Sequence, residues 1–389
     1  MALPRDLSDV RALMGEFANR TGLSAAAGAA PRRYLWTDAF AVSNFLSLFA
    51  AMHDAACREL AARLIDQVHA TLGRHRQDDA RSGWISGLGE QEGRRHPTAG
   101  GLRIGKQLNE RPAGQPLNER EEWDRDGQYF HYLTQWMQAL ARAAVVVGNP
   151  DYCRFAIELA KTAHAAFTYA APGGGTKRMY WKMSIDLSRP LVPSMGHHDP
   201  LDALVSYSVL EHCRTWQFAD AGLPDLRSEI GEAEDMCAGR DWVTDDPLGI
   251  GGLLVDAYRI GRLQRDRVTL VGVSLGRLLT DARVGLARFA SAYPLHAPAE
   301  HRLAFRELGL AIGLHAVEAL HRRVLDGVVS PARDAASEIE SLSQVVPLAA
   351  QIETFWRQPK SQSAATWREH LDINSVMLAT SMLPGGFLA

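Results

Sequence analysis

Apolar residues recur at helical intervals through most of this chain. Leu7, Val10, Leu13, Met14 and Phe17 mark an amphipathic helix within residues 1–21. A strongly apolar segment, residues 39–52, follows Arg32-Arg33-Tyr34-Leu35-Trp36-Thr37-Asp38. Beyond His53, the residues Ala56, Leu60, Leu64, Val68 and Leu72 share one face, which predicts a helical hairpin turning near His53-Asp54. Residues 130–147 and 151–169 predict a second hairpin around the turn Gly148-Asn149-Pro150. A third spans about 200–218 and 226–238, and a fourth 253–263 and about 267–292. Residues 301–325, with Gly309 and Gly313 inside, read as a weak fifth pair or as one long helix. Residues 334–356 and 365–382 complete the pattern, and Gly385-Gly386 ends it. Gly22 with the Ala/Gly run 25–30, residues 171–175 and residues 294–298 are breaks.

No comparable set of alternating β-branched strands is present, so the fold class is all-α. Roughly twelve helices paired in sequence close most economically as a double ring, an (α/α)6 toroid or six-hairpin barrel. An irregular solenoid of hairpins is the alternative. The expectation is one domain over residues 1–389. Residues 75–122 stand apart: long, polar and glycine-containing, they hold Trp84 and the run from His96 to Lys106. They read as a long irregular insertion after the first hairpin, partly mobile, and plausible as a lid or site wall.

Charge excludes one partner class. With 42 basic and 45 acidic residues the net charge is -3, and no basic run stands out from its acidic neighbours. Nucleic acid is therefore not expected as a partner. The four cysteines form no CxxC pair, as buried thiols in a reducing compartment would. The pair His212-Cys213 lacks a second cluster at structural-zinc spacing, so no metal and no cofactor is expected. The N-terminal segment has no apolar signal region, and no run of about 18 apolar residues offers a membrane span. The expected location is cytoplasmic, without a membrane partner, and the oligomeric state stays open.

The unusual residues fall in a pattern. Trp36-Thr37-Asp38 precedes the first arm of pair one, and Trp123-Asp124-Arg125-Asp126 that of pair two. Gly196-His197-His198-Asp199 precedes pair three, Trp242 to Gly249 pair four, and residues 293–301, with His296 and His301, pair five. In a ring of antiparallel pairs all first arms start at one end. These segments should then converge on one rim, with the short plain turns on the other. The convergent aromatics are Tyr34, Trp36, Trp84, Trp123, Tyr129, Tyr180, Trp181 and Trp242; the carboxylates include Asp38, Asp124, Asp126, Asp186, Asp199, Asp202, Asp245 and Asp246. Aromatic faces stack on sugar rings while carboxylates and basic groups take hydroxyls. Tyr34, Trp36, Asp38, Trp123, Tyr129, Trp181, Lys182, His197 and Trp242 are therefore candidate substrate contacts for a small-molecule or oligosaccharide ligand. Capping is the competing role for an Asp at a helix start, and the core for any single Trp.

At Trp123 through Tyr132 and at Trp181 through Asp202 the chain resembles the six-hairpin glycosidase superfamily. This is the (α/α)6-barrel group of glycoside hydrolases and N-acylglucosamine 2-epimerase-like sugar isomerases. The resemblance covers roughly residues 32–382 as architecture and implies a sugar pocket at the barrel mouth. It matches no single catalytic signature.

The expected activity is glycoside hydrolysis at the barrel mouth, with the two readings that follow as alternatives; it needs an acid and a second carboxylate. The candidates are Asp124 or Asp126 on one wall and Asp199 or Asp202 on the other. Few Glu residues lie in these segments. Epimerisation or isomerisation needs bases poised near neutrality, for which His131, His197, His198, His296 and His315 are available. A non-catalytic carbohydrate-binding or assembly protein is the third class. Gly272-Val273-Ser274-Leu275-Gly276 matches G-x-S-x-G literally but lies in a predicted helix, without the strand-turn-helix context of a nucleophile elbow.

Overall fold

In the computed structural model, residues 5–24, 31–171, 173–292 and 295–388 are described. The run 25–30, Pro172 of the 171–175 break, and Tyr293 and Pro294 lie outside them. Helix α1 (Arg5–Arg20) precedes a hairpin of α2 (Leu35–Met52) and α3 (Ala55–Leu72). Two short helices follow, α4 (Glu90–Arg95) and α5 (Glu119–Glu122). The second hairpin is α6 (Phe130–Val147) with α7 (Pro150–Phe167), the third α8 (Asp199–Trp216) with α9 (Arg227–Cys237). The fourth is α10 (Pro247–Arg265) with α11 (Leu275–Ala292). Then come α12 (Ala304–Leu325), α13 (Arg333–Ser343), α14 (Pro347–Trp356), the short α15 (Pro359–Gln362) and α16 (Ala365–Arg368), α17 (Leu371–Met382) and α18 (Gly385–Leu388). Five short strands lie between α5 and α8. Strand β1 (Gln128–Tyr129) pairs antiparallel with β4 (Lys182–Met183), and β4 with β5 (Pro190–Val192); β2 (Thr168–Tyr169) pairs with β3 (Arg178–Met179).

The chain divides into two compact units, Ala18–Met236 and Met1–Phe17 with Cys237–Ala389. In the first, α2 packs on α3 and α6, and α6 on α7 and α8. His53 (φ 54) closes α2 in the left-handed region, and the Asp54 carboxylate accepts the Ala56 N–H of α3. The second hairpin turns the same way: Gly148 (φ 72) ends α6, Asn149 caps α7 and Pro150 opens it. Helix α2 is buried throughout Leu35–Leu48. By length and composition it is apolar enough to cross a membrane, although no apolar run of that length stands out in its sequence. Here it is a core helix, and its serines are satisfied locally: Ser43 donates to the Ala39 carbonyl and Ser47 to that of Ser43.

In the second unit α12 packs against α10, α13, α14 and α17. Helices α10 and α12 touch backbone to backbone, since a Cβ on Gly251 would sit 2.1 Å from the Gly309 carbonyl oxygen. Helix α1 docks through Arg357, which donates to Asp6 and Asp9. In the same unit Glu307, fully buried, accepts from Nε and one Nη of Arg302 and from the Trp356 indole N–H.

Two expected boundaries move. The second arm of the fourth hairpin begins at Leu275 rather than near residue 267, because Arg267 (φ 62) turns the chain out of helix. Residues 334–356 are two helices, broken before Pro347, while α12 is one uninterrupted helix partnered by α13. Proline at the first helical turn starts a new helix there instead of continuing the old one.

Candidate functional site

In the first unit the starts of α2, α6 and α8 do converge, and they build an aromatic wall of rings packed on one another. Tyr34 enters α2 with its backbone N–H held by the Asp38 carboxylate at 3.0 Å; the Arg33 guanidinium lies 3.4 Å from the same carboxylate and donates to the Thr21 carbonyl. Trp36 follows on the first turn. From α6 come His131 and Tyr132, and from β1 comes Tyr129, opposite Lys182 in the antiparallel register. The Tyr34 and Tyr132 hydroxyls share a hydrogen bond of 2.7 Å. Tyr132 stands perpendicular to His131 at 4.8 Å and 5.1 Å from Trp36. Tyr129 lies 5.4 Å from His131 and 5.2 Å from Trp181, whose ring is nearly parallel to His131 at 6.4 Å. These offset and edge-on arrangements are the favourable ones for aromatic rings.

His131 is the polar centre of this cluster. Its side chain is 26% exposed, and its Nδ1 lies 3.9 Å from Asp199 Oδ1. Burial pushes the imidazole down to about 4, which keeps it neutral at physiological pH and makes it a weaker base than an ordinary histidine until a charged partner such as Asp199 supports the imidazolium. Asp199 is the first residue of α8, buried, and accepts the Gly196 N–H at 3.1 Å. A Cβ on Gly196 would fall 2.4 Å from that carboxylate, so only glycine lets this loop wrap the acid. His197 and His198 pack on each other at 4.8 Å; His198 precedes α8 without a side-chain cap hydrogen bond.

Several candidates have other employment. Asp126 is fully buried and saturated, so it is not an available catalytic carboxylate. Oδ2 takes Arg103 (2.9 Å) and Arg76 (3.3 Å), and Oδ1 takes the Gly105 and Gly127 N–H groups. Lys182, also fully buried, donates to the Glu122 carboxylate and to the Glu122 and Arg125 carbonyls; burial lowers its pKa and Glu122 opposes the shift. It meets the aromatic wall at the Tyr129 ring, 5.2 Å away. Asp38 is likewise buried and bound at the α2 start. Trp123 is half exposed and meets the edge of Trp181 at 5.5 Å, with the exposed Asp124 beside it in sequence.

Trp242 belongs to the other unit. It is buried, its N–H bound by Asp281, beside a cavity of about 200 Å3 whose walls include Arg240, Ser274 and Arg277. Gly272, Val273 and Ser274 of the G-x-S-x-G run line that cavity in the loop before α11, and Leu275 and Gly276 open the helix. At the helix starts of this unit, Asp246 caps Gly249 of α10 and pairs with Arg306 of α12 at 2.6 Å, and Phe305 meets His370, before α17, at 5.7 Å. His315 lies further along α12, bound to Glu353 at 2.7 Å.

The segment 75–122 is a packed wall rather than a loose loop. Arg81 bridges Asp79, Glu110 and Asp186, and Arg111 joins Glu122 to the Leu191 carbonyl, so the segment is bolted to the β4–β5 hairpin. The sequence reading passed over Tyr132, Lys106 and His370 as pocket or rim residues. The adjacency of Tyr132 to His131 at a helix start was an available signal; the other two carry none. Among the described residues, no group of three or more His, Cys, Asp or Glu is placed to hold a metal ion.

No protein-family model and no curated protein sequence matches the chain. Solved structures do resemble it. A family 76 α-mannanase from Bacteroides thetaiotaomicron aligns at TM-score 0.55 and 9% identity, over 99% of this chain and 97% of its own. A D-mannose isomerase aligns at TM-score 0.53 and 11% identity, over 99% and 100%. An inactive variant of a Salegentibacter α-1,6-mannanase in complex with α-1,6-mannotriose aligns at TM-score 0.52 and 11% identity, over 99% and 100%. At these identities the likeness is one of fold.

Proposed function

We propose that this chain, an all-α protein with the (α/α)6 toroid fold of the six-hairpin superfamily, is a carbohydrate-active enzyme whose chemistry centres on His131. The observation that carries this reading is the His131 imidazole set in a wall of Tyr34, Trp36, Tyr129, Tyr132 and Trp181, its Nδ1 3.9 Å from Asp199 Oδ1. The rings offer apolar faces for a sugar, and the tyrosine hydroxyls exchange hydrogen bonds with its hydroxyls. A neutral imidazole accepts a proton from a sugar carbon beside a carbonyl and returns it, which is the step of isomerisation or epimerisation. Asp199 stabilises the imidazolium that forms. Hydrolysis is the second reading, favoured by the buried carboxylate Asp199 and requiring a second one, for which Asp124 is the candidate.

The test is incubation with mono- and oligosaccharides in heavy water. Deuterium entering the recovered sugar, with an altered epimer or ketose, supports proton transfer; new reducing ends without exchange support hydrolysis. His131→Asn should lower exchange by on the order of a hundredfold or more while the fold survives. Sugar binding without either change would leave a binding module.

A further inference from the structure

The packed wall delivers one cation to the pocket. Gly105 (φ 94) runs hard against the chain entering α2: a Cβ there would lie 2.3 Å from the Arg33 carbonyl oxygen. Its N–H is bound by Asp126, and Arg76 donates to the Lys106 carbonyl at 2.5 Å. The backbone of Lys106 is thus fixed from both sides, and its ammonium lies 5.5 Å from the Tyr34 ring centroid. Tyr34 is hydrogen-bonded to Tyr132, which packs on His131.

The other lysines of this unit each face a glutamate: Lys161 faces Glu229, Lys177 faces Glu232, and Lys182 faces Glu122. No carboxylate among the described residues pairs with Lys106. Lys182, the other cation against a pocket tyrosine, is neutralised in place by Glu122. Asp199, the pocket carboxylate, is held on the α8 side by Gly196. The Tyr34 side therefore keeps an unopposed positive charge, held in place by the saturated carboxylate of Asp126.

We propose that Lys106 is a specificity residue that receives a negative group of the substrate, so that the pocket takes anionic sugars bearing a carboxylate or a phosphate. This rests on the carbohydrate reading above. A charge-assisted contact of this kind is worth roughly tenfold to a hundredfold in affinity.

The experiment is calorimetric titration of the full chain and its Lys106→Met and Lys106→Arg variants with matched sugars. Glucose is compared with glucuronate and glucose 6-phosphate, and galactose with galacturonate, at low and high salt. The expected result is tighter binding of a charged member, weakened by salt, with the charged-over-neutral ratio falling to about one in K106M and largely kept in K106R. Whether the carboxylate or the phosphate series shows it identifies the group. Equal binding of charged and neutral sugars, or a preference that survives in K106M, overturns the proposal and leaves the carbohydrate reading standing. Inorganic phosphate binding as tightly as the sugar phosphate overturns it too. If no sugar binds at all, the carbohydrate reading falls and the proposal with it.

Discussion

The two units are both built of packed helices but furnish the helix starts differently. In the first, the starts of α2, α6 and α8 carry Trp36, His131, Tyr132 and Asp199, and the rings pack directly on one another. In the second, the starts of α10 and α12 are tied by the Asp246–Arg306 ion pair, and Phe305 stands against His370 before α17. The acids show the contrast best. Asp246 is an N-cap with an ion-pair partner, its side chain partly open to water. Asp126, in the first unit, is not a cap at all: it holds two arginines and two backbone N–H groups out of water. The pocket wall of Tyr129, Tyr34 and Lys106 stands on that buried knot, whereas the second unit rests on close helix packing at Gly251, Gly309 and Gly313.

Breaking the knot should have the largest effect. Asp126→Ala leaves the largely buried Arg103 without its carboxylate, while Arg76 keeps Asp78. The expected loss is about 3–5 kcal/mol, the usual cost of leaving a buried charge without its partner. Denaturant midpoints would show it. A variant that melts like the parent would mean that the arginines find other acceptors, and that Asp126 does not support the Lys106 wall.

That knot also marks where sequence stopped informing. The hairpins were legible because glycine, asparagine and proline punctuate them and apolar residues keep a helical period. The gathering of aromatics at arm starts was legible for the same reason. Asp124 and Asp126 could not be told apart by spacing. What separates them is Arg76 and Arg103, which reach Asp126 from 50 and 23 residues away. Lys182 likewise reads as a sugar contact until Glu122, 60 residues away, is seen to claim it. Long-range ion pairs leave no local period.

Acid should weaken the first unit through its histidines. His69 of α3 is buried, and its Nε2 accepts the Trp136 indole N–H, so it must stay neutral. Burial lowers its pKa to about 3, and that of His131 to about 4, from an ordinary value of 6.5. Below that ordinary value the unfolded chain binds protons that the folded one refuses. Stability is therefore full above pH 6.5 and declines as pH falls toward the folded values, by about 1.4 kcal/mol per pH unit for each group. His69→Gln keeps an acceptor for Trp136 and removes one of the two. Its acid limb should be shallower by about that slope in denaturant titrations at stepped pH. An unchanged limb would place acid sensitivity elsewhere.

The second unit offers a sharper pair. At Gly251 a Cβ meets the Gly309 backbone, and at the next residue, Gly252, it meets nothing within 4 Å. Gly251→Ala must force α10 from α12 and should cost about 1–3 kcal/mol. Gly252→Ala should be neutral or gain about 0.5–1 kcal/mol from helix propensity. Equal melting of the two would deny that backbone contact is what holds these helices together.

A small loss should come from Tyr132→Phe, which removes one oxygen and keeps every ring contact. The Tyr34 hydroxyl then loses its 2.7 Å partner in a partly buried place where water can reach it. The expected change in stability is about 0.5–1.5 kcal/mol. Sugar affinity is the more telling readout. If the hydroxyl pair serves only to fix Tyr34 under Lys106, neutral and charged sugars should separate, with the charged ones losing more as the ring and its cation loosen. If the hydroxyls instead bind sugar directly, both series should weaken together. The ratio of the two losses distinguishes a wall that positions a charge from one that touches the ligand through its own oxygen atoms.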